Sequence, residues 1–173
     1  MVPQNPDKRI VISDQTESPR LQVLVDYWNG LRGANPWPQW EQVDLMDLYR
    51  IAPFMTVKDV IDGGQSFYNR YFGSGLARLV GFDGGHKRAE ALYGGENFEI
   101  IMRAYRLTVQ ECVPVQSFGS VFWAENKEHI RYQLIYVPLG GRAGPGVQHL
   151  ISVLDFDRPR ANAENAKDPI TLT

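Results

Sequence analysis

PFMTVKDVIDGGQSFYNRYFGSGLARLVGFDGG, residues 53–85, is the stretch on which the fold turns. Two runs rich in β-branched and aromatic residues, 54–61 and Ser66–Phe72, flank Asp62-Gly63-Gly64. Aspartate and glycine accept the positive φ that a tight connection demands, so the two runs read as a β-hairpin. The chain leaves this hairpin at Gly73-Ser74. Ser74 is placed to cap a short helix with Leu76, Leu79 and Val80 on one face, and Gly81 ends it.

Outward toward the N-terminus, Pro53 closes a short helix that Asp44 caps and that runs to about Leu48. Before it, Asn35-Pro36-Trp37-Pro38-Gln39-Trp40 is excluded from helix and central strand, because each proline removes a donor and restricts its predecessor. It reads as a packed connecting loop. Ser18-Pro19 opens an amphipathic helix that Gly30 or Gly33 stops. Leu21, Leu24, Val25, Trp28 and Leu31 recur along one of its faces. That stripe has two compatible uses, packing on its own domain or pairing two copies, and its five residues are the dimer-contact candidates. The first 17 residues are polar with one apolar patch, Ile10-Val11-Ile12, and read as a loosely held arm with room for a short strand.

Outward toward the C-terminus, Gly94-Gly95 precede the clearest helix, with Phe98, Ile101, Met102, Tyr105 and Val109 on one face. Three strands are expected at 115–124, 129–138 and 147–156. In the second, Ile130, Tyr132, Leu134 and Tyr136 share a face, while Ile135 and Val137 break the alternation and imply cover on both sides. Residues 140–146 hold four glycines and Arg142. A phosphate cradle opens a helix, whereas here a strand follows, so this is a flexible loop between strands. The polar segment 158–173 reads as a solvated tail.

The chain has 173 residues, net charge −2, a pI near 5.9 and 12% aromatic residues. That suits one domain with extensions and leaves no electrostatic footprint for nucleic acid or an anionic membrane. Cys112 is the only cysteine, which excludes an internal disulfide and fits a reducing compartment. With no span-length apolar run and no signal-peptide core, the expectation is a cytoplasmic protein.

Two strands, a helical crossover and three more strands is the order of a PAS domain. The chain resembles in particular a bacterial PAS subfamily. Its leading helix ends Tyr27-Trp28-Asn29-Gly30-Leu31-Arg32-Gly33, a Y-W-x-x-L-R-G pattern. Asp44, Leu48 and Pro53 form the step into the first strand. Arg70, Gly73 and Ser74 give R-x-x-G-S after the second, Gly81 and Gly84 or Gly85 follow, and Pro114-Val115 enters the third. Residues 81–95 depart from the pattern, lacking its polar-leucine-threonine step.

The resemblance implies an α+β fold, a five-stranded antiparallel sheet in the order 2-1-5-4-3 with helices over one face and an N-terminal amphipathic helix. It divides the chain into a flexible N-terminal arm (1–17), an N-terminal helical extension (18–52), a PAS-like core (53–157) and the polar tail (158–173). It also implies a non-enzymatic sensor or protein-interaction module in bacterial signalling. Such a module acts on a signalling protein in trans, pairs as a homodimer through its leading helix, and in some members binds a small apolar ligand between helices and sheet. Phe98, Met102 and Tyr105 on the long helix and Trp123, Tyr132 and Leu134 on strands are the pocket candidates; such positions also serve simply as core.

Two other classes fit the sequence less well. Small isomerases and dehydratases of the α+β cone type also close helices over a curved sheet, but place several helices before most strands. No catalytic residue stands out, and G-x-S-x-G and H-E-x-x-H are missing. A haem sensor needs an axial histidine, for which His86 lies in roughly the right region but beside a glycine pair. Flavin adduct chemistry needs a cysteine on a middle helix, whereas Cys112 ends the long one. His86, His129 and His149 lack metal-ligand spacing, so neither cofactor nor metal is expected. Arg70 and Asp59, on the two arms of the hairpin, suit a structural ion pair.

Overall fold

A computed structural model describes residues 9–122 and 125–157. The elements are β1 (Arg9–Ile12), α1 (Pro19–Arg32), three 3-10 turns, β2 (Met55–Ile61), β3 (Ser66–Phe72), α2 (Ser74–Val80), α3 (Ala89–Leu92), α4 (Gly95–Glu111), β4 (Val115–Ser120), β5 (Arg131–Gly141) and β6 (Gly144–Asp157). They build one antiparallel sheet in the order β1-β4-β5-β6-β2-β3.

The hairpin of the opening stretch forms as read. Ile61 pairs with Ser66, and Asp62, Gly63 and Gly64 all have positive φ, at 49°, 66° and 105°. Glycine is required again at Gly73, where a Cβ would lie 2.3 Å from the Pro53 carbonyl oxygen. Gly73 itself, rather than Ser74, is the N-cap of α2, and Gly81 ends that helix at φ 82°.

Strands β2 to β6 reproduce the expected 2-1-5-4-3 order. The count is six rather than five, because Arg9–Ile12 of the supposed arm pairs with β4. A second difference lies at 140–146. β5 and β6 run on to a tight turn through Arg142 and Ala143, with Gly141 paired to Gly144, so the flexible loop is absent.

Of the two uses of the α1 stripe, the structure shows packing on its own domain. The N-terminus of α1 forms as expected, Ser18 Oγ accepting from the Leu21 N–H. The apolar stripe lies against the chain's own sheet. Leu21, Leu24, Val25 and Trp28 are buried in one cluster with Val57, Ile135, Val137, Leu139, Ile151 and Val153, and Leu31 is half-buried. The Trp28 indole N–H donates to the Pro138 carbonyl at 2.7 Å, and Ser18 Oγ donates to Asp155 at 2.6 Å. A 14-residue helix is marginal alone in water, so it spends its apolar face on the nearest sheet. The segment 18–52 is therefore part of the core rather than an extension, and these side chains are not a free dimer surface.

Trp37 and Trp40 of the proline-rich loop pack against the same cluster. The opposite face of the sheet is covered by α2, α3 and α4. Residues 82–88, where the sequence pattern departs, run along β3: Asn69 N–H donates to Lys87 O, and His86 N–H donates to Asn69 O. The sheet thus has helices on both faces, which explains why β5 is apolar on both sides.

Candidate functional site

Alternation along β2 decides the site. Met55 and Val57 point toward α1, and Thr56 and Lys58 toward α4. On β6 the same alternation sends Ile151 and Val153 to α1, and Ser152 and Leu154 to α4. Thr56 and Ser152 are register partners, so their hydroxyls meet at 2.6 Å. On β5, Tyr132, Leu134 and Tyr136 share the α4-facing side as the sequence pattern requires.

Between this face and the helices lies a cavity of about 60 Å³. Its walls are largely apolar, with Leu76 and Val80 from α2, Ile101 and Ala104 from α4, and Leu134 and Leu154 from the sheet. A few polar groups converge on it: Lys58, the Thr56–Ser152 pair, Ser117 and four tyrosines, Tyr93, Tyr105, Tyr132 and Tyr136. Ser117 Oγ and Tyr132 OH hydrogen-bond at 3.1 Å.

Lys58 is the unusual member. It is 3% exposed, and its Nζ lies 5.0 Å from the centre of the Tyr105 ring. Nζ donates to Thr56 Oγ1, and among the described residues this is its one hydrogen-bond acceptor. An ammonium has three N–H donors, so two are left for something else. No carboxylate among the described residues pairs with it. Burial without a counter-charge disfavours the cation and brings the Lys58 pKa down to about 7. Burial acts on the phenols in the other direction. Tyr105 and Tyr136 rise well above the usual tyrosine range, chiefly by desolvation and then by repulsion between neighbouring phenols. Tyr93 is pushed up to about 12 by burial. These groups stay neutral donors across the physiological range.

Of the six pocket candidates, Tyr105, Tyr132 and Leu134 line the cavity. Met102 does not: it is fully buried in the cluster between α4 and the sheet, with no side turned to open space. Phe98 is half-buried at the edge of that cluster and also lies away from the lining. Trp123 falls outside the described residues. Lys58, Thr56, Ser117 and Ser152 were missed. The alternation T-x-K in β2 places Thr56 and Lys58 on one side of that strand but does not tell that the long helix, rather than water, covers it.

His86 is exposed on the loop before α3 and does not line the cavity. Arg70 and Asp59 form the expected ion pair, bidentate at 3.0 and 2.9 Å. It lies on the α1 side of the sheet, where Asp59 also meets His149 Nδ1 at 2.9 Å and the Trp40 ring lies 5.2 Å from the His149 ring, tilted by 35°. Among the described residues no group of three or more His, Cys, Asp or Glu is placed to hold a metal, and no helix is long and apolar enough to cross a membrane.

A family model described as a PAS domain matches residues 16–153, most of the chain. The chain belongs to the PAS domain family. The match includes α1, in keeping with the shared core that joins this helix to the PAS sheet. Among solved structures, an RNA-binding light-oxygen-voltage receptor is similar to this PAS domain, with 18% identity, a TM-score of 0.47 and 85% of the chain covered. The chain spans 38% of that protein's length. No curated protein matches it.

Proposed function

We propose that this PAS domain is a non-enzymatic sensory module that binds a small ligand with an apolar body between α4 and the sheet. The observation that supports the reading best is the cavity with Lys58 in its wall. A close-packed core has no use for an unpaired buried amine, which destabilises the fold. A ligand site has a use for it, as one of the few placed polar groups that orient a guest among apolar walls.

The route outward is short. Ligand contact falls on the cavity side of β5 and β6, and α1 rests on the other side of the same strands. A change of occupancy that shifts these strands moves the seat of α1, which we propose as the surface read by a signalling protein in trans. Pairing of two copies, if it accompanies signalling, uses a surface other than the four buried α1 residues.

Native mass spectrometry of freshly purified protein tests the binding reading, combined with thermal shift across a panel of small molecules. The expected result is added mass, or a ligand-induced rise in Tm, that is lost in Ala104→Leu, where the larger side chain fills the cavity. No added mass, together with no ligand-induced shift in the wild type, would overturn it. A coloured protein with a haem or flavin spectrum would replace it with a cofactor sensor.

A further inference from the structure

Resting on the ligand-binding reading above, we infer that the cavity takes a small monocarboxylic acid. Its carboxylate is held by Lys58 Nζ, with the Thr56 and Ser152 hydroxyls beside it, and its short alkyl part lies among Leu76, Ala104 and Leu154.

Three observations lead to the acid. First, among the described residues the polar groups around the cavity are an amine, hydroxyls and phenols, and no carboxylate or imidazole lines it. Such a set offers donors and one potential positive charge, which is what an anion needs and what a cation or metal would not find. Second, Lys58 has two N–H donors to spare and, among the described residues, no carboxylate to face them. A carboxylate supplies acceptor oxygens and the missing counter-charge together. Third, there is one buried cation, enough to offset one negative charge. A phosphate dianion would keep an uncompensated charge in an apolar surround. Size sets the rest. A dry cavity of about 150 Å³ holds the six heavy atoms of a benzene ring, so one of about 60 Å³ suits only the smallest acids, of about one or two carbons.

The charge state of Lys58 gives the binding a pH signature. Its amine is half-protonated near pH 7, and the carboxylate pairs with the protonated form. The titratable groups facing it are Tyr105 on α4, Tyr93 before α4, and Tyr132 and Tyr136 on β5, all neutral phenols well above that pH. Asp59, Arg70 and His149 are paired with one another on the opposite face of the sheet. Lys58 therefore titrates alone, and affinity for the acid falls about tenfold per pH unit above 7.

The probe is acetate, with acetamide and ethanol as neutral molecules of similar size, titrated calorimetrically into the full chain from pH 6 to pH 9.5. The proteins are wild type and Lys58→Met, with folding checked by circular dichroism. Lys58→Gln is the second variant, for use if the first is unfolded. Expected are acetate binding that weakens with rising pH, a loss of about ten- to a hundredfold in either variant, and weak binding of the two neutral probes. If the neutral probes bind as well as acetate and the Lys58 variants bind alike, the cavity is a ligand site but not an acid site, and this inference alone fails. If none of the three binds the wild type, the acid inference fails, and the panel test above then decides the ligand-binding reading separately.

Discussion

Replacing Lys58 by methionine should stabilise the ligand-free protein at low pH, by an amount that shrinks as pH rises. The unfolded lysine holds its proton to about pH 10.5, and the folded one releases it near pH 7. Between those values the unfolded state binds more protons, so wild-type stability rises with pH. Below pH 7 both states are protonated, and the full cost of the buried cation is present. A pKa held at about 7 instead of 10.5 corresponds to roughly 5 kcal/mol. Methionine fills a similar shape without a charge and forfeits one hydrogen bond to Thr56, worth about 1 kcal/mol. Thr56 keeps its Ser152 partner. The net gain at pH 6 is then roughly 3–4 kcal/mol, of the size seen when buried charges give way to apolar residues. For a chain of this length that is a Tm increase of about 6–15 °C.

Between pH 7 and pH 9.5 the wild type recovers roughly 3 kcal/mol, and the gap between the two proteins nearly closes. Above pH 10 both proteins lose stability, because unfolded tyrosines ionise while Tyr105 and Tyr136 resist it. Urea unfolding of both proteins at pH 6 and pH 9.5, followed by far-ultraviolet circular dichroism, reads the effect directly. A Lys58→Met protein less stable than wild type at pH 6, or a gap that stays constant with pH, would refute the account of Lys58 as an uncompensated buried amine.

Met102→Trp should cost about 1–3 kcal/mol through overpacking, because Met102 sits in filled core, whereas Ala104→Val, which projects into the cavity, should be close to neutral in thermal unfolding. Replacing Gly63 and Gly64 together by valine forces β-branched residues to φ 66° and 105° and should cost about 1–2 kcal/mol per position, measured as a lower urea midpoint. Leu24→Glu with Trp28→Glu places two charges where exposure is 0% and 4%, and should abolish the circular dichroism of the fold; a well-folded monomer from this pair would return the stripe to the protein's surface.

Much of this architecture is written in local chemistry. Asp62-Gly63-Gly64 can only turn, Gly73 stands where no Cβ fits, and Ser18-Pro19 can only begin a helix, so the hairpin and its flanking elements are legible residue by residue. Their order resembles that of a PAS domain, and the 2-1-5-4-3 sheet order is what that resemblance implies rather than something the strands spell out themselves. Arg9–Ile12 escaped as a firm strand because four residues carry too little pattern, and a strand that short exists only where an edge, here β4, awaits it. The two-residue turn at Arg142-Ala143 escaped for the opposite reason: its glycine-rich flanks look like loop until β5 and β6 hold them in register.

The α1 stripe shows where sequence stops. Periodicity declares that one face of a helix must be buried, but the hydrophobic effect is non-directional, and any apolar surface satisfies it. That the surface is this chain's own sheet is shown only by the tertiary contacts, with Pro138 accepting from Trp28 and the Gly140 N–H of β5 donating to Pro38 of the proline-rich segment. Lys58 shows the same limit for the site. Alternation put Thr56 and Lys58 on the side opposite Met55 and Val57, and a lysine on the polar side of a strand reads as facing water. Only α4, arriving from forty residues farther along the chain, turns that side into an interior. Whether an amine is solvated or buried is a property of what covers it, and the cover lies in the tertiary structure.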